Sequence, residues 1–156
     1  MTDPKQGQRA VFRYRVYWEH TDAGGVVYHA RYLNFLERAR SDWLAAIGVN
    51  QTGLRKKDGL IFVVTRMEID FRKPARLEDE LEVSVSVQAC GRARMDFAQR
   101  IMRDGEVLID AVVHAACIDA ERFKPARIPS QLADTIRSHI ESPPKTISSK
   151  NLLETE

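Results

Sequence analysis

The chain has little of several things that would have fixed its chemistry at once. Only two cysteines occur in 156 residues, Cys90 and Cys117, with no CxxC pair and no histidine at ligand spacing beside either. That argues against a zinc motif or a dithiol redox centre, and both are read as reduced, mostly buried thiols. The four histidines, His20, His29, His114 and His139, are scattered, so no metal site is expected. No apolar run approaches the roughly 20 residues of a membrane-spanning helix. The opening "MTDPKQGQRA" lacks the apolar core of a secretory signal, so cytoplasmic localisation is expected. A net charge of +2 is too slight to indicate nucleic acid as a partner, and any anionic ligand would have to be met by a local cluster of Arg and Lys.

With 44% hydrophobic and 29% charged residues, the composition is that of a globular protein with one core. The expected organisation is a flexible segment at 1–10, a single domain over 11–140, and a flexible tail at 141–156 rich in Pro, Ser, Lys and Glu. In "VFRYRVYW" the alternation of Phe12, Tyr14, Val16 and Trp18 with arginines predicts a half-buried strand. Tyr32, Leu33, Phe35, Leu36, Ala39, Trp43, Leu44 and Ile47 recur at three- and four-residue steps, which predicts a buried helix of about five turns that begins near Tyr28 and His29 and ends at Gly48.

From residue 61 the period changes to two. Val63, Thr65, Met67, Ile69 and Phe71 form one face of a strand, with Pro74 marking its end or a bulge. Leu81, Val83, Val85 and Val87 point to a core while Glu82, Ser84, Ser86 and Gln88 point to water. Asp104-Gly105 signals a tight hairpin between two further strands, the second apolar on both faces, as a central or covered strand would be. A short helix is expected within 129–140. The fold class is therefore α+β, an antiparallel sheet packed on one long central helix.

The stretch "HTDAGGVVYHA" carries the chemistry. Asp22 offers a carboxylate, Gly24 and Gly25 allow positive φ and close approach of the backbone to a ligand, and the helix start near Tyr28 and His29 offers free N–H groups. A carbonyl resting on the N–H of residue 28 or 29 would be polarised there, and an oxyanion formed on attack would be stabilised. The alternative for Asp22 is that it only caps a turn, and for His29 that it is an ordinary solvent-facing residue of a first helical turn.

"TDAGGVVYHARYLNFLERAR" resembles the signature of the hotdog-fold acyl-CoA thioesterases, in the branch of 4-hydroxybenzoyl-CoA thioesterase and the Tol-Pal-associated thioesterases. The resemblance runs from about residue 11 to about 130 and includes "RKPARLEDEL". It implies a curved antiparallel sheet wrapped around the helix, homodimers joined edge to edge, a dimer of dimers, and active sites at the dimer interface. It places the catalytic aspartate at Asp22 and the thioester-holding N–H at His29, whose ring is also expected to assist. Gly25 and Tyr28 then belong to the substrate site. Arg92 and Arg94 in "CGRARM" match the segment that lies along the pantetheine and nucleotide of coenzyme A; Lys124 and Arg127 are weaker candidates for its phosphates.

Glu37 is a further candidate, since another branch uses a helix glutamate; its alternative is a structural pair with Arg38, Arg40 or Arg66. Coenzyme A enters as part of the substrate, and no cofactor is expected. Two other readings remain at this level. A 3-hydroxyacyl-thioester dehydratase of the same fold would place histidine first in its motif, unlike the order Asp22 then His29. A non-catalytic acyl-thioester-binding or scaffold protein would have no use for Asp22 and the paired glycines.

Overall fold

The computed structural model describes residues 9–140; of the segments expected to be flexible, residues 1–8 of 1–10 and all of 141–156 lie outside the described residues, while Ala10 is buried at the start of the first strand. Five strands form one antiparallel sheet: β1 (Ala10–Arg15), β2 (Leu60–Phe71), β3 (Glu80–Cys90), β4 (Arg94–Arg103) and β5 (Glu106–Asp119), in the spatial order β1-β3-β4-β5-β2. Helix α1 (Tyr32–Ala46) lies between β1 and β2 in sequence and packs on the sheet. This is the hotdog arrangement that the resemblance implies. It leaves β1 and β2 as the two edges.

Cross-strand register explains why one face of the sheet accepts the helix. Val83 faces Ile101, which faces Ile109, which faces Phe71; two layers on, Val87, Phe97, Val113 and Met67 align in the same way. On α1, Phe35, Leu36, Ala39 and Trp43 are buried, and the Trp43 ring meets Phe97 edge-on at 5.7 Å. Each strand contributes every second residue to this layer, so a one-residue slip would carry the whole set to solvent. Extra residues interrupt the ladder at Thr65 in β2 and at Gln88 in β3. Such bulges increase local twist and bend a sheet, here around the helix.

Several details depart from expectation. The α-helix begins at Tyr32, because residues His29–Arg31 form a separate 3-10 turn closed by the Arg31 N–H on the Tyr28 carbonyl at 2.8 Å. Leu33, assigned to the apolar stripe, is 39% exposed, whereas Arg40 is buried. Ser84 and Ser86 do not face water: both are buried between flanking strands, where Ser84 Oγ accepts the Arg100 N–H and Ser86 Oγ accepts from Gln88. Small hydroxyls can be shielded by longer neighbours on either side, which alternation does not reveal.

A second helix, α2 (Gln51–Asp58), has only Leu54 as an apolar anchor and gave no periodic signal; Asn50 caps it by accepting the Gly53 N–H at 2.9 Å. Helix α3 (Ser130–Arg137) follows Pro129 as expected. The Asp104-Gly105 turn has positive φ at both residues, 50° and 79°, the geometry a two-residue hairpin favours. No helix of the described residues is long and apolar enough to cross a membrane.

Candidate active site

Between β1 and α1 the chain doubles back on itself. The Asp22 N–H donates to the Val26 carbonyl (2.9 Å), the Gly25 N–H to the Asp22 carbonyl (3.1 Å) and the Tyr28 N–H to the His20 carbonyl (2.9 Å), while Thr21 pairs with Val27. The resulting hairpin is fastened to the segment before β3 by the Val27 N–H on the Ala75 carbonyl (2.8 Å) and by a bridge between Val26 and Arg76. The glycines divide their work. Gly25 takes φ 79°, a conformation side chains resist, whereas a Cβ on Gly24 would stand 3.1 Å from Asp22 Oδ1. Only Gly25, therefore, needs the positive φ that was expected of both.

Asp22 is exposed, and its Oδ1 accepts the Gly24 N–H at 2.8 Å, which is the turn-capping contact. Its Oδ2 has no hydrogen-bond partner among the described residues. The turn-capping reading thus holds for one of the two oxygens. Burial is the main cause that raises the Tyr32 phenol above its ordinary value, and the Asp22 charge adds a smaller push.

His29 opens the 3-10 turn and is exposed, with its ring 4.5 Å from that of the half-exposed Tyr28. The Tyr28 N–H is occupied by His20, but the His29 N–H meets no acceptor among the described residues. Of the two N–H groups expected to receive a carbonyl, one is available. Because the α-helical dipole starts three residues later, this donor acts chiefly as an individual hydrogen bond at the head of the turn.

His20 holds the hairpin from beneath and was not singled out by the sequence. It is 3% exposed, packed at 4.6 Å against Phe35, and its Nδ1 accepts the Tyr17 N–H at 2.9 Å. A backbone N–H can only donate, so the ring carries its proton on Nε2 and is neutral. Burial, assisted by Arg38 and Arg31 and opposed by Glu19, lowers the His20 pKa below its usual value.

The remaining candidates fall elsewhere. Arg92 and Arg94 are exposed at the β3–β4 turn, the far end of β3 from the hairpin; the 11 residues of β3 span about 36 Å. The segment with Lys124 and Arg127 runs beside them, tied by the Ile128 N–H on the Arg92 carbonyl at 2.9 Å. One chain therefore does not bring these cations to Asp22. Glu37 is exposed and accepts from Ser41 Oγ at 2.7 Å; it pairs with none of the expected arginines, and Arg66 pairs with Glu68 instead. Cys90 and Cys117 are free thiols, Cys117 buried, and burial raises both. Among the described residues no three His, Cys, Asp or Glu side chains come together as a metal site.

The five-stranded sheet, its helix and the hairpin ahead of that helix define a hotdog α+β protein with an exposed carboxylate in that hairpin. Residues 16–136 match the thioesterase-like superfamily, and the chain belongs to it. It is 44% identical over 121 residues to the acyl-CoA thioesterase YbgC of Haemophilus influenzae, covering 78% of this chain and 89% of that protein. It is 39% identical over 119 residues to the acyl-CoA thioester hydrolase YbgC of Escherichia coli O6:H1, covering 76% and 88%. Among solved structures, a probable thioesterase from Bartonella henselae superposes with TM-score 0.75 at 41% identity, covering 78% of this chain and all of the other.

The neutral, buried state of His20 has a consequence for stability. Below about pH 6.5 the unfolded chain takes up a proton at this residue while the folded chain does not, so stability is complete above that pH and falls as pH drops beneath it. Thermal midpoints measured from pH 8 to pH 5 should decline more steeply for the wild type than for His20→Asn, whose amide oxygen can still accept the Tyr17 N–H. Parallel profiles would remove His20 as the cause.

Proposed function

We propose that this protein hydrolyses an acyl-CoA thioester to the free acid and CoA, with Asp22 as the reacting carboxylate and the His29 N–H as the carbonyl anchor. One observation carries the reading: Asp22 Oδ2, in the hairpin, and the His29 N–H, one residue beyond the Tyr28 N–H that closes it, are both without partners among the described residues. Relatives at 44% and 39% identity named as acyl-CoA thioesterases support the same chemistry.

A thioester carbonyl is electrophilic and a thiolate leaves readily, so one carboxylate suffices. In the nucleophilic course, an Asp22 oxygen bonds to the carbonyl carbon, the tetrahedral oxyanion rests on the His29 N–H, and the C–S bond breaks to release CoA thiolate. Water then opens the mixed anhydride and regenerates Asp22. In the general-base course, Asp22 takes a proton from a water that attacks the carbon directly, and collapse of the same oxyanion expels the thiolate. The His29 imidazole adds a mobile proton donor beside the leaving sulfur.

The proposal includes a second copy of the chain. Strand β2 is an unpaired edge of 12 residues with Val64 and Phe71 exposed, a surface suited to strand pairing. An edge-to-edge homodimer is one way for Arg92 and Arg94 to meet the phosphates of a CoA bound at Asp22, since β3 separates them within a chain. Dimers of dimers are part of the same reading.

Asp22→Asn should lower kcat by roughly 10²- to 10⁴-fold in a thiol-release assay with an unchanged thermal midpoint; near wild-type turnover would remove Asp22 from the chemistry. Arg92→Glu should raise KM for a CoA ester more than for a pantetheine ester. Mixing Asp22→Asn and Arg92→Glu subunits under exchange should restore low-KM activity, because one of the two shared sites regains both intact residues. No recovery would argue against a site shared between copies.

A further inference from the structure

Arg40 and Gln99 form a polar pair inside an otherwise apolar layer. Arg40 lies on the buried stripe of α1 and is only 8% exposed; Gln99 takes an inward position of β4 between Phe97 and Ile101 and is 1% exposed. The Gln99 amide is fixed from two sides. Its Nε2 donates to the Leu36 carbonyl of α1 (3.1 Å) and to the Ser84 carbonyl of β3 (3.4 Å), which turns Oε1 toward Arg40 Nη1 at 3.0 Å. Two carbonyls can accept only from the amide nitrogen, so the network itself sets this orientation.

A guanidinium carries five N–H donors and a full charge. Among the described residues only the neutral Gln99 oxygen bonds Arg40, and no carboxylate pairs with it. Glu37, one turn back on α1, attracts it at longer range but is exposed and accepts from Ser41. No fully buried side-chain nitrogen or oxygen of the described residues lacks a partner, so the remaining Arg40 donors are not fully enclosed by protein. Arg40 lines a cavity of about 100 Å³, with Glu37 and Ser41 beside it on the helix side and Phe62, Val64 and Phe97 on the sheet side. Val64 belongs to the free edge strand, beside the Thr65 bulge.

We propose that this cavity seats the far end of the acyl group and that Arg40 selects acyl chains ending in an oxygen acceptor, a carboxylate above a ketone. The inference rests on the thioester-hydrolase reading and adds its substrate class. A carboxylate meets the planar fork of the guanidinium with two parallel hydrogen bonds and neutralises a cation that burial leaves uncompensated. A ketone satisfies donors without neutralising charge, and a methyl end does neither. Glu37 stands at the solvent-exposed rim, where water and salt screen its repulsion of an incoming anion. The cavity is about two thirds of the roughly 150 Å³ that encloses a benzene ring, enough for an end group of about four non-hydrogen atoms. Arg40 follows Tyr32 by eight residues, about 12 Å along the helix axis, so a chain of moderate length is needed if it follows α1.

The test is thiol release from three acyl-CoA series of matched length, ω-carboxyacyl, oxoacyl and plain alkanoyl, with wild type, Arg40→Met and Arg40→Lys. The wild type should favour the ω-carboxy series over the matched alkanoyl series in kcat/KM by roughly 10- to 100-fold at its best length, the oxoacyl series falling between. Arg40→Met should abolish or invert that preference while retaining alkanoyl turnover, and Arg40→Lys should keep part of it. A wild type that cleaves alkanoyl esters as well as or better than the oxygenated ones overturns the inference and leaves the hydrolase reading intact; absence of thiol release from every series overturns the hydrolase reading. The wild-type comparison decides even if Arg40→Met fails to fold. Altered subunit association in Arg40→Met with unchanged acyl preference would make Arg40 an interface residue and also overturn the inference.

Discussion

The bond from the Tyr28 N–H to the His20 carbonyl decides which backbone groups stay available at this end of the molecule. It closes the hairpin that carries Asp22, removes one of two candidate donors, and leaves the His29 N–H at the head of the next turn. His20 can serve as this anchor because its ring is buried against Phe35 and tied to the Tyr17 N–H, so its backbone has little freedom. The hairpin in turn leans on residues 75 and 76, just ahead of β3, and so inherits the rigidity of the sheet. A carboxylate held by one oxygen to its own turn keeps its direction without losing the other oxygen to the protein.

The same helix that follows this site carries a second polar device into the core. Replacing a buried charge and amide with apolar groups of similar shape is often neutral or stabilising in proteins, so stability alone does not require the pair. Arg40 is joined through Gln99 to both α1 and β3, which fixes the guanidinium without satisfying it. In both places one hydrogen bond fixes a charged side chain whose other acceptors or donors have no partner among the described residues.

Much of the fold was legible because its periodicities are strong. Leu81, Val83, Val85 and Val87 all reached the core, Gly48 ended the helix region, and Asp104-Gly105 made its turn. Misreadings came where pattern and environment part company. Ser84 and Ser86 look solvent-facing but are shielded by adjacent strands, Arg40 looks like surface but falls on the buried stripe, and α2 has too few apolar residues to announce itself. Of the candidate site, the turn at Gly25 and the position of Asp22 and His29 just ahead of the helix were readable from the sequence. His20 and the Arg40–Gln99 pair were not, since their roles depend on contacts between residues far apart in sequence or on burial that no local spacing encodes. The long path along β3 from the hairpin to Arg92 likewise becomes visible only once the register is known.

The most direct measurement of the central claim is a crystal structure of the Asp22→Asn protein with an intact acyl-CoA bound. The thioester oxygen should lie about 2.7–3.1 Å from the His29 backbone nitrogen, with the carbonyl carbon facing residue 22. A thioester held by a different donor, or a residue 22 side chain turned away from the carbonyl carbon, would contradict it.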